Sequence, residues 1–221
     1  VQDVLTKNVI IATGSRPRLL PGIEIDAPRI VTSDELLDFA EVPKTMIVLG
    51  AGAVGVEFVS VFKRFGSDVT VIELLPRLVP IEDEETSKEL ERAFRKRGIK
   101  VMTNTRFESA KIRANEVEVT FTAADGLRGM IAAETLLVAV GRQPYTDGLG
   151  LENTRCELDR GYIKVDEVMR TAEPNVYAIG DVVPTPWLAH VASKEGCVAA
   201  EHIAGCHPHP INYNLVPNCT Y

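Results

Sequence analysis

The stretch MIVLGAGAVGVEFVSVFKRFGSDVTVIE, residues 46–73, decides the fold. Met46, Ile47, Val48 and Leu49 form an unbroken apolar run, as expected for a parallel strand buried on both faces. The run passes directly into Gly50-Ala51-Gly52-Ala53-Val54-Gly55. Val56 to Phe65 then reads as a helix, with Val56, Val59, Phe62 and Phe65 at helical spacing and Gly66 as its stop. Asp68 to Ile72 is a second apolar strand, and Glu73 ends it. Strand, glycine-rich turn, helix and strand make a βαβ unit, so the fold class is α/β and Rossmann-like.

A GxGxxG pattern alone is common, but here it has its full context. Gly50 permits the tight turn, Gly52 lets a pyrophosphate approach the backbone, and Gly55 allows close helix–strand packing. Ala51, Ala53, Val54 and Val56 complete the turn and the first residues of a helix whose N-terminus offers free N–H groups to phosphate. Glu73 would accept the ribose hydroxyls of a dinucleotide and repel a 2′-phosphate, which favours NAD over NADP. Arg77 is the nearest cation beyond it, after Pro76; were it to swing toward a phosphate, Glu73 would remain between them, so it is not expected to take that role. Glu57 has two readings: an acid stabilised early in a helix by the dipole, or a carboxylate facing the nicotinamide end of the cofactor.

Outward from this unit, Glu82 to Arg97 reads as a charged helix with acids first and Arg95, Lys96 and Arg97 last, a solvated face that complements the dipole. Ile99 to Met102 gives a third strand. Residues 105–134 alternate as an antiparallel meander with a turn at Asp125-Gly126, and Thr135 to Val140 returns as a buried strand ending at Gly141. Asn8 to Gly14 and Asn175 to Asp181 are two further strand-and-turn segments, and a helix spans about Leu188 to Ile203. The flanking pieces supply too few strands to cover a sheet of their own. The whole reads as a piece of a longer protein.

The 221 residues carry 24 Lys plus Arg against 31 Asp plus Glu, a net charge of −7, which argues against phosphate-driven nucleic-acid binding. No stretch is long and uncharged enough to span a membrane; the longest apolar run, Met46 to Phe62, contains Glu57 and three glycines. Cys156, Cys197, Cys206 and Cys219 form neither CxxC nor CxxxxC, so they read as reduced thiols of a cytosol-like compartment. His202, Cys206, His207 and His209 gather metal-ligand types, but Pro208 and Pro210 and the lack of a second cluster make the tract a loop after a helix, with no metal expected.

Several of these segments together resemble the pyridine nucleotide–disulfide oxidoreductases with two dinucleotide-binding domains. Val9-Ile10-Ile11-Ala12-Thr13-Gly14-Ser15-Arg16-Pro17 looks like the family's internal FAD motif, residues 47–73 like its NAD motif, and Leu136 to Pro144 like the strand leaving the NAD domain. Thr171 to Asp181 looks like the second FAD motif. Trp187-Leu188-Ala189-His190, Glu195-Gly196 and the closing Val216 to Tyr221 look most like members that oxidise dihydrolipoamide.

The resemblance implies an FAD-domain segment at 1–21, an NAD domain at 40–145, an FAD-domain return at 146–215 and the start of an interface domain at 216–221. It places Gly50 to Gly55, Val56 and Glu57 along NAD, Glu73 on the adenosine ribose, Phe107 near the adenine and Gly141 beside the cofactor. It places Thr13, Gly14, Ser15, Asp181 and Trp187, Leu188, Ala189 and His190 against FAD. For the parent it implies oxidation of protein-bound dihydrolipoamide by NAD⁺ through FAD, a lipoyl-bearing partner of a 2-oxoacid dehydrogenase complex, a homodimer, and a cytoplasmic or mitochondrial-matrix setting. The first FAD motif, the redox CxxxxC and the acid–base His of the interface domain are absent from these residues, and His190 is not that His. The chain alone is therefore expected to be inactive. Mercuric reductase, NADH oxidase or a non-catalytic dinucleotide-binding module remain alternatives.

Overall fold

The computed structural model describes residues 3–220; Val1, Gln2 and Tyr221, which belong to the expected 1–21 and 216–221 segments, lie outside the described residues. The chain divides into two compact units, one comprising Pro17–Gly141 and the other the chain up to Arg16 together with Arg142–Cys219.

The Pro17–Gly141 unit is built on a five-stranded parallel sheet. Its order is Ile30–Val31, Thr135–Val138, Thr45–Leu49, Asp68–Ile72, Lys100–Met102. Met46, Val48, Val69, Val71 and Leu137 face one side, where they pack with Val56, Val59 and Phe62 of the helix Ala53–Phe65 and with Phe94 of the helix Glu84–Lys96. Ile47, Leu49, Ile72, Leu136 and Val138 face the other side, against Val117, Val119, Phe121 and Ala133 of an antiparallel meander (Arg106–Arg113, Glu116–Thr122, Arg128–Ala133). Both faces of every central strand are covered. That is why the strands read as continuous apolar runs while the meander, half solvated, alternates.

Two details differ from the sequence reading. The unit starts at Pro17, and residues 17–39 contribute the edge strand Ile30–Val31 and the short helix Ser33–Leu36, closed by a capping box between Thr32 and Glu35. Two-residue strands carry too little periodicity to be seen in advance. Phe65 is 64% exposed, whereas Val56, Val59 and Phe62 are buried. A spacing of three falls about 60° short of a full turn at each step, so the fourth residue of the series lies opposite the first.

In the other unit, Val9–Ile11 pairs in parallel with Val176–Ala178, and Leu158–Asp159 pairs with Tyr162–Ile163 as a hairpin. The helix Ala189–Ile203 packs Val198 and Ala199 on Tyr177 and Met169. Val9 and Ile10 remain 44% and 39% exposed, as expected of a sheet with only two strands to share. Among the described residues no helix is long and apolar enough to cross a membrane.

Candidate dinucleotide site

The strands Thr45–Leu49 and Thr135–Val138 are neighbours, and the strand order reverses between them: Asp68–Ile72, which follows the first in the chain, lies on its far flank, while Thr135–Val138 lies on the near one. This is the switch point at which open parallel sheets bind ligands. Gly50 follows the first strand with φ 101°, and a Cβ there would lie 2.4 Å from the Ala139 carbonyl oxygen. A Cβ on Gly55 would lie 2.1 Å from the Gly50 carbonyl oxygen. Both glycines are therefore demanded by backbone packed on backbone. Gly52 differs: a Cβ there would meet nothing within 4 Å. It is the N-cap of the helix Ala53–Phe65 and supplies no side-chain cap; the Val56 N–H donates to the Gly52 carbonyl as the first helical bond. The amides of Ala53, Val54 and Gly55 precede that bond and have no intrahelical acceptor. An open surface lined by free N–H groups at the positive end of a helix fits a pyrophosphate.

Glu73 is buried at the end of the adjacent strand. Its Oε2 accepts from the Ala51 N–H at 2.6 Å and its Oε1 from the Leu75 N–H at 2.8 Å. The carboxylate is thus part of the turn's scaffold, and each oxygen keeps a lone pair for a hydroxyl. Arg77 does not swing toward this site. Its Nη2 donates to the carbonyls of Pro80 and Glu82, at 3.0 and 3.3 Å. Glu57 is half-buried on the fifth residue of the helix, beyond the first turn where the dipole acts most strongly. Gly141 has φ 109° and open space at its Cβ position, and its carbonyl accepts from the Arg18 N–H at 2.9 Å. Phe107 lies opposite Phe121 in the meander and packs, partly buried, on the Ile72 side of the core.

The residues expected along FAD belong to the other unit. Gly14, at φ 72°, accepts from the Tyr145 N–H at 2.8 Å, and the Thr13 hydroxyl donates to the Tyr145 carbonyl at 2.6 Å. The Ser15 hydroxyl donates to Asp181 Oδ2 at 2.6 Å while accepting from Arg142 Nε at 2.8 Å. Trp187 donates through Nε1 to the Val183 carbonyl at 3.3 Å and packs on Tyr162 at 5.7 Å between ring centres. Leu188 is the N-cap of the helix Ala189–Ile203, without a side-chain cap, and Ala189 and His190 are exposed in its first turn. Thr185, two residues earlier than Trp187, holds the one buried side-chain polar atom without a partner among the described residues. A partly open helix start beside an unpaired hydroxyl is chemistry that fits a polar ligand.

Glu195 was visible in the sequence only as part of a resembling motif, yet it holds this unit's Asp181 turn. It is 0% exposed; its Oε2 accepts from the Gly180 N–H at 2.6 Å and its Oε1 from the Tyr213 hydroxyl at 3.0 Å. Burial first, then the Glu195 charge, push the Tyr213 phenol well above its ordinary pKa. The signal was available: Val191, Glu195, Val198 and Ala199 share one helical face, so an acid sits on an apolar stripe. His202 packs on Tyr177, and Cys206, His207 and His209 are not drawn together with it; among the described residues no three such side chains converge on a metal position.

An open helix terminus at a switch point fits a phosphate, and the Pro17–Gly141 unit has the α/β architecture in which such sites occur. Residues 1–196 match the pyridine nucleotide-disulphide oxidoreductase family, and the chain belongs to it. Over 219 residues it is 45% identical to the dihydrolipoyl dehydrogenase of Bacillus subtilis, covering 99% of this chain and 46% of that protein. It is 42% identical to the mitochondrial dihydrolipoyl dehydrogenase of Caenorhabditis elegans, covering 100% and 45%. Among solved structures it resembles LpdA of Mycobacterium tuberculosis, with a TM-score of 0.85 and 37% identity over 93% of this chain and 44% of that one. The flavoprotein disulfide reductase RclA of Escherichia coli follows, at 0.83 and 29% over 92% and 46%. The chain spans about half the length of the curated relatives it matches.

Proposed function

We propose that this chain is the NAD-binding part of a dihydrolipoyl dehydrogenase, and that the Pro17–Gly141 unit binds NAD(H) by itself. The observation that carries the reading is the contrast among the three glycines: two sealed by backbone, the third open in front of an uncapped helix. In this reading the amides from Gly52 to Gly55 hold the pyrophosphate, Glu73 accepts the adenosine ribose, and Val56, Glu57, Phe107 and Gly141 line the remainder. Bound NAD⁺ supplies the hydride acceptor. Glu73 sets the choice of cofactor, because a 2′-phosphate would face its carboxylate and Arg77 is held on carbonyls.

Thr13, Gly14, Ser15, Asp181 and the stretch Trp187 to His190 would contact FAD in the longer enzyme. The names of the relatives support dihydrolipoamide as its substrate; a lipoyl-bearing protein of a 2-oxoacid dehydrogenase complex as its partner, a homodimer, and a cytosolic or mitochondrial-matrix setting belong to the same proposal. The four cysteines are free and widely spaced, so these residues alone provide no dithiol for the reaction.

Calorimetric titration of the chain with NAD⁺ and NADP⁺ tests the reading. NAD⁺ should bind at least about tenfold tighter, since the 2′-phosphate of NADP⁺ removes a charge-assisted hydrogen bond to Glu73 and sets a like charge beside it. Equal affinities would remove Glu73 from its assigned role, and no NAD⁺ binding would remove the reading altogether. The same preparation should show no dihydrolipoamide:NAD⁺ turnover above a protein-free control.

A further inference from the structure

Ala51, buried in the glycine turn, is held at both of its peptide groups. Its N–H donates to Glu73 Oε2 at 2.6 Å, and its carbonyl accepts from the Val79 N–H at 2.8 Å. Both partners lie beyond the strand Asp68–Ile72, and the second is reached only because residues 74–83 return to the turn.

Val79 is an unexpected residue for that contact. Its φ of 39° is left-handed, a conformation that β-branched side chains disfavour and keep only where their surroundings impose it. Those surroundings are visible. The Val79 side chain is 2% exposed and packs beside Leu78 in the core that includes Ala51 and Val56. Its carbonyl accepts from the Glu82 N–H at 2.9 Å and from the Ser87 hydroxyl at 3.4 Å. Arg77 then closes the loop by donating to the carbonyls of Pro80 and Glu82. The ion pair with Glu84 is secondary. Its separation is 4.0 Å, and the Glu84 carboxyl is held below the ordinary carboxylate range first by its hydrogen bond with Lys88.

We propose that Arg77 is a positioning residue for NAD: by tying together the carbonyls that follow Val79, it keeps the Val79 N–H on the Ala51 carbonyl and so pre-sets the peptides of the pyrophosphate-binding turn. Arg77 touches no part of the dinucleotide. The turn's geometry is instead transmitted from Arg77 through Val79 to Ala51, with Glu73 bracing the other side of the same residue. Preorganisation of this kind lowers the ordering cost of binding and leaves the choice between cofactors alone. The inference rests on the NAD reading above.

The test compares the wild-type chain with Arg77→Ala and Arg77→Lys, using NAD⁺ and NADP⁺ as titrants and amide hydrogen exchange as the structural readout. Arg77→Ala should weaken NAD⁺ about fivefold to tenfold, the scale of one or two hydrogen bonds, and weaken NADP⁺ by the same factor. Exchange at the Val79 amide should accelerate while the strands Thr45–Leu49 and Asp68–Ile72 keep their protection. Arg77→Lys, which retains donors for both carbonyls, should recover most of the affinity. Unchanged NAD⁺ affinity overturns the proposal. So does faster exchange that extends to the strand amides, which would mark a merely structural residue, or a weakening specific to NADP⁺, which would make Arg77 a phosphate ligand. A wild-type chain that binds no NAD⁺ overturns the underlying reading as well, and is told apart from the other outcomes because it needs no variant.

Discussion

Replacing Gly55 by alanine would place a Cβ 2.1 Å from the Gly50 carbonyl, a backbone atom with nowhere to move. Gly52→Ala would meet nothing within 4 Å, at a residue whose φ of −71° suits alanine. The two substitutions should therefore separate folding from binding. Gly55→Ala should lower both stability and NAD⁺ affinity. Gly52→Ala should stay within about 1 kcal/mol of wild type in urea titrations while losing NAD⁺ affinity, because its methyl enters the space left for phosphate. Glu73→Ala should weaken NAD⁺ about 10- to 100-fold and leave NADP⁺ binding unchanged or improved, measured by calorimetry. It should also cost about 1–3 kcal/mol of stability, since the buried Ala51 N–H would be left without its acceptor. The ribose role proposed for Glu73 rests on its position in the sequence. Its bracing of Ala51 could not be read there, because that contact joins residues 22 apart whose side-chain direction only packing decides.

At the scale of elements, periodicity carried most of the information. Helix Ala53–Phe65, helix Glu84–Lys96, helix Ala189–Ile203 and the three meander strands all fall in or close to the segments that the sequence suggested. The edge strand Ile30–Val31 and the strap at 74–83 did not announce themselves, since one is too short and the other has no period. Helix Ala189–Ile203 offers a test of its buried acid. Tyr213→Phe takes one donor from Glu195 and should cost about 1–3 kcal/mol at neutral pH in chemical denaturation. The pH dependence has a definite sign. The folded-state pKa of Tyr213 is raised, chiefly by burial, whereas in the unfolded chain a tyrosine ionises near pH 10. The unfolded state therefore loses its proton first, so stability is full below about pH 10 and falls as pH rises beyond it. Tyr213→Phe should flatten that alkaline decline; an equally steep decline in the variant would contradict the assignment.

At the scale of the molecule, the two units carry separate apolar cores, one sheet covered on both faces and one of two strands with Val9 and Ile10 exposed. NAD⁺ should act on only the first. In scanning calorimetry, NAD⁺ at about 100 times its Kd should stabilise the Pro17–Gly141 unit by about 2.7 kcal/mol and leave any transition of the other unit in place. A uniform upward shift of all transitions would show that the site is not confined to that unit. What the sequence by itself determined was the α/β class, the glycine turn with its strand and helix, the acid at the end of the next strand and the family. Each of these is written in residues close together in the chain, through hydrophobic period and glycine spacing. Only the tertiary structure decided that the unit holding the glycine turn begins at Pro17, that Glu73 and Val79 grip Ala51 from two sides, that Arg77 is engaged by carbonyls, and that Glu195 anchors the Gly180 turn. Those contacts join side chains to backbone groups that no local pattern pairs, and which meets which is fixed by the packing of the sheet and its helices.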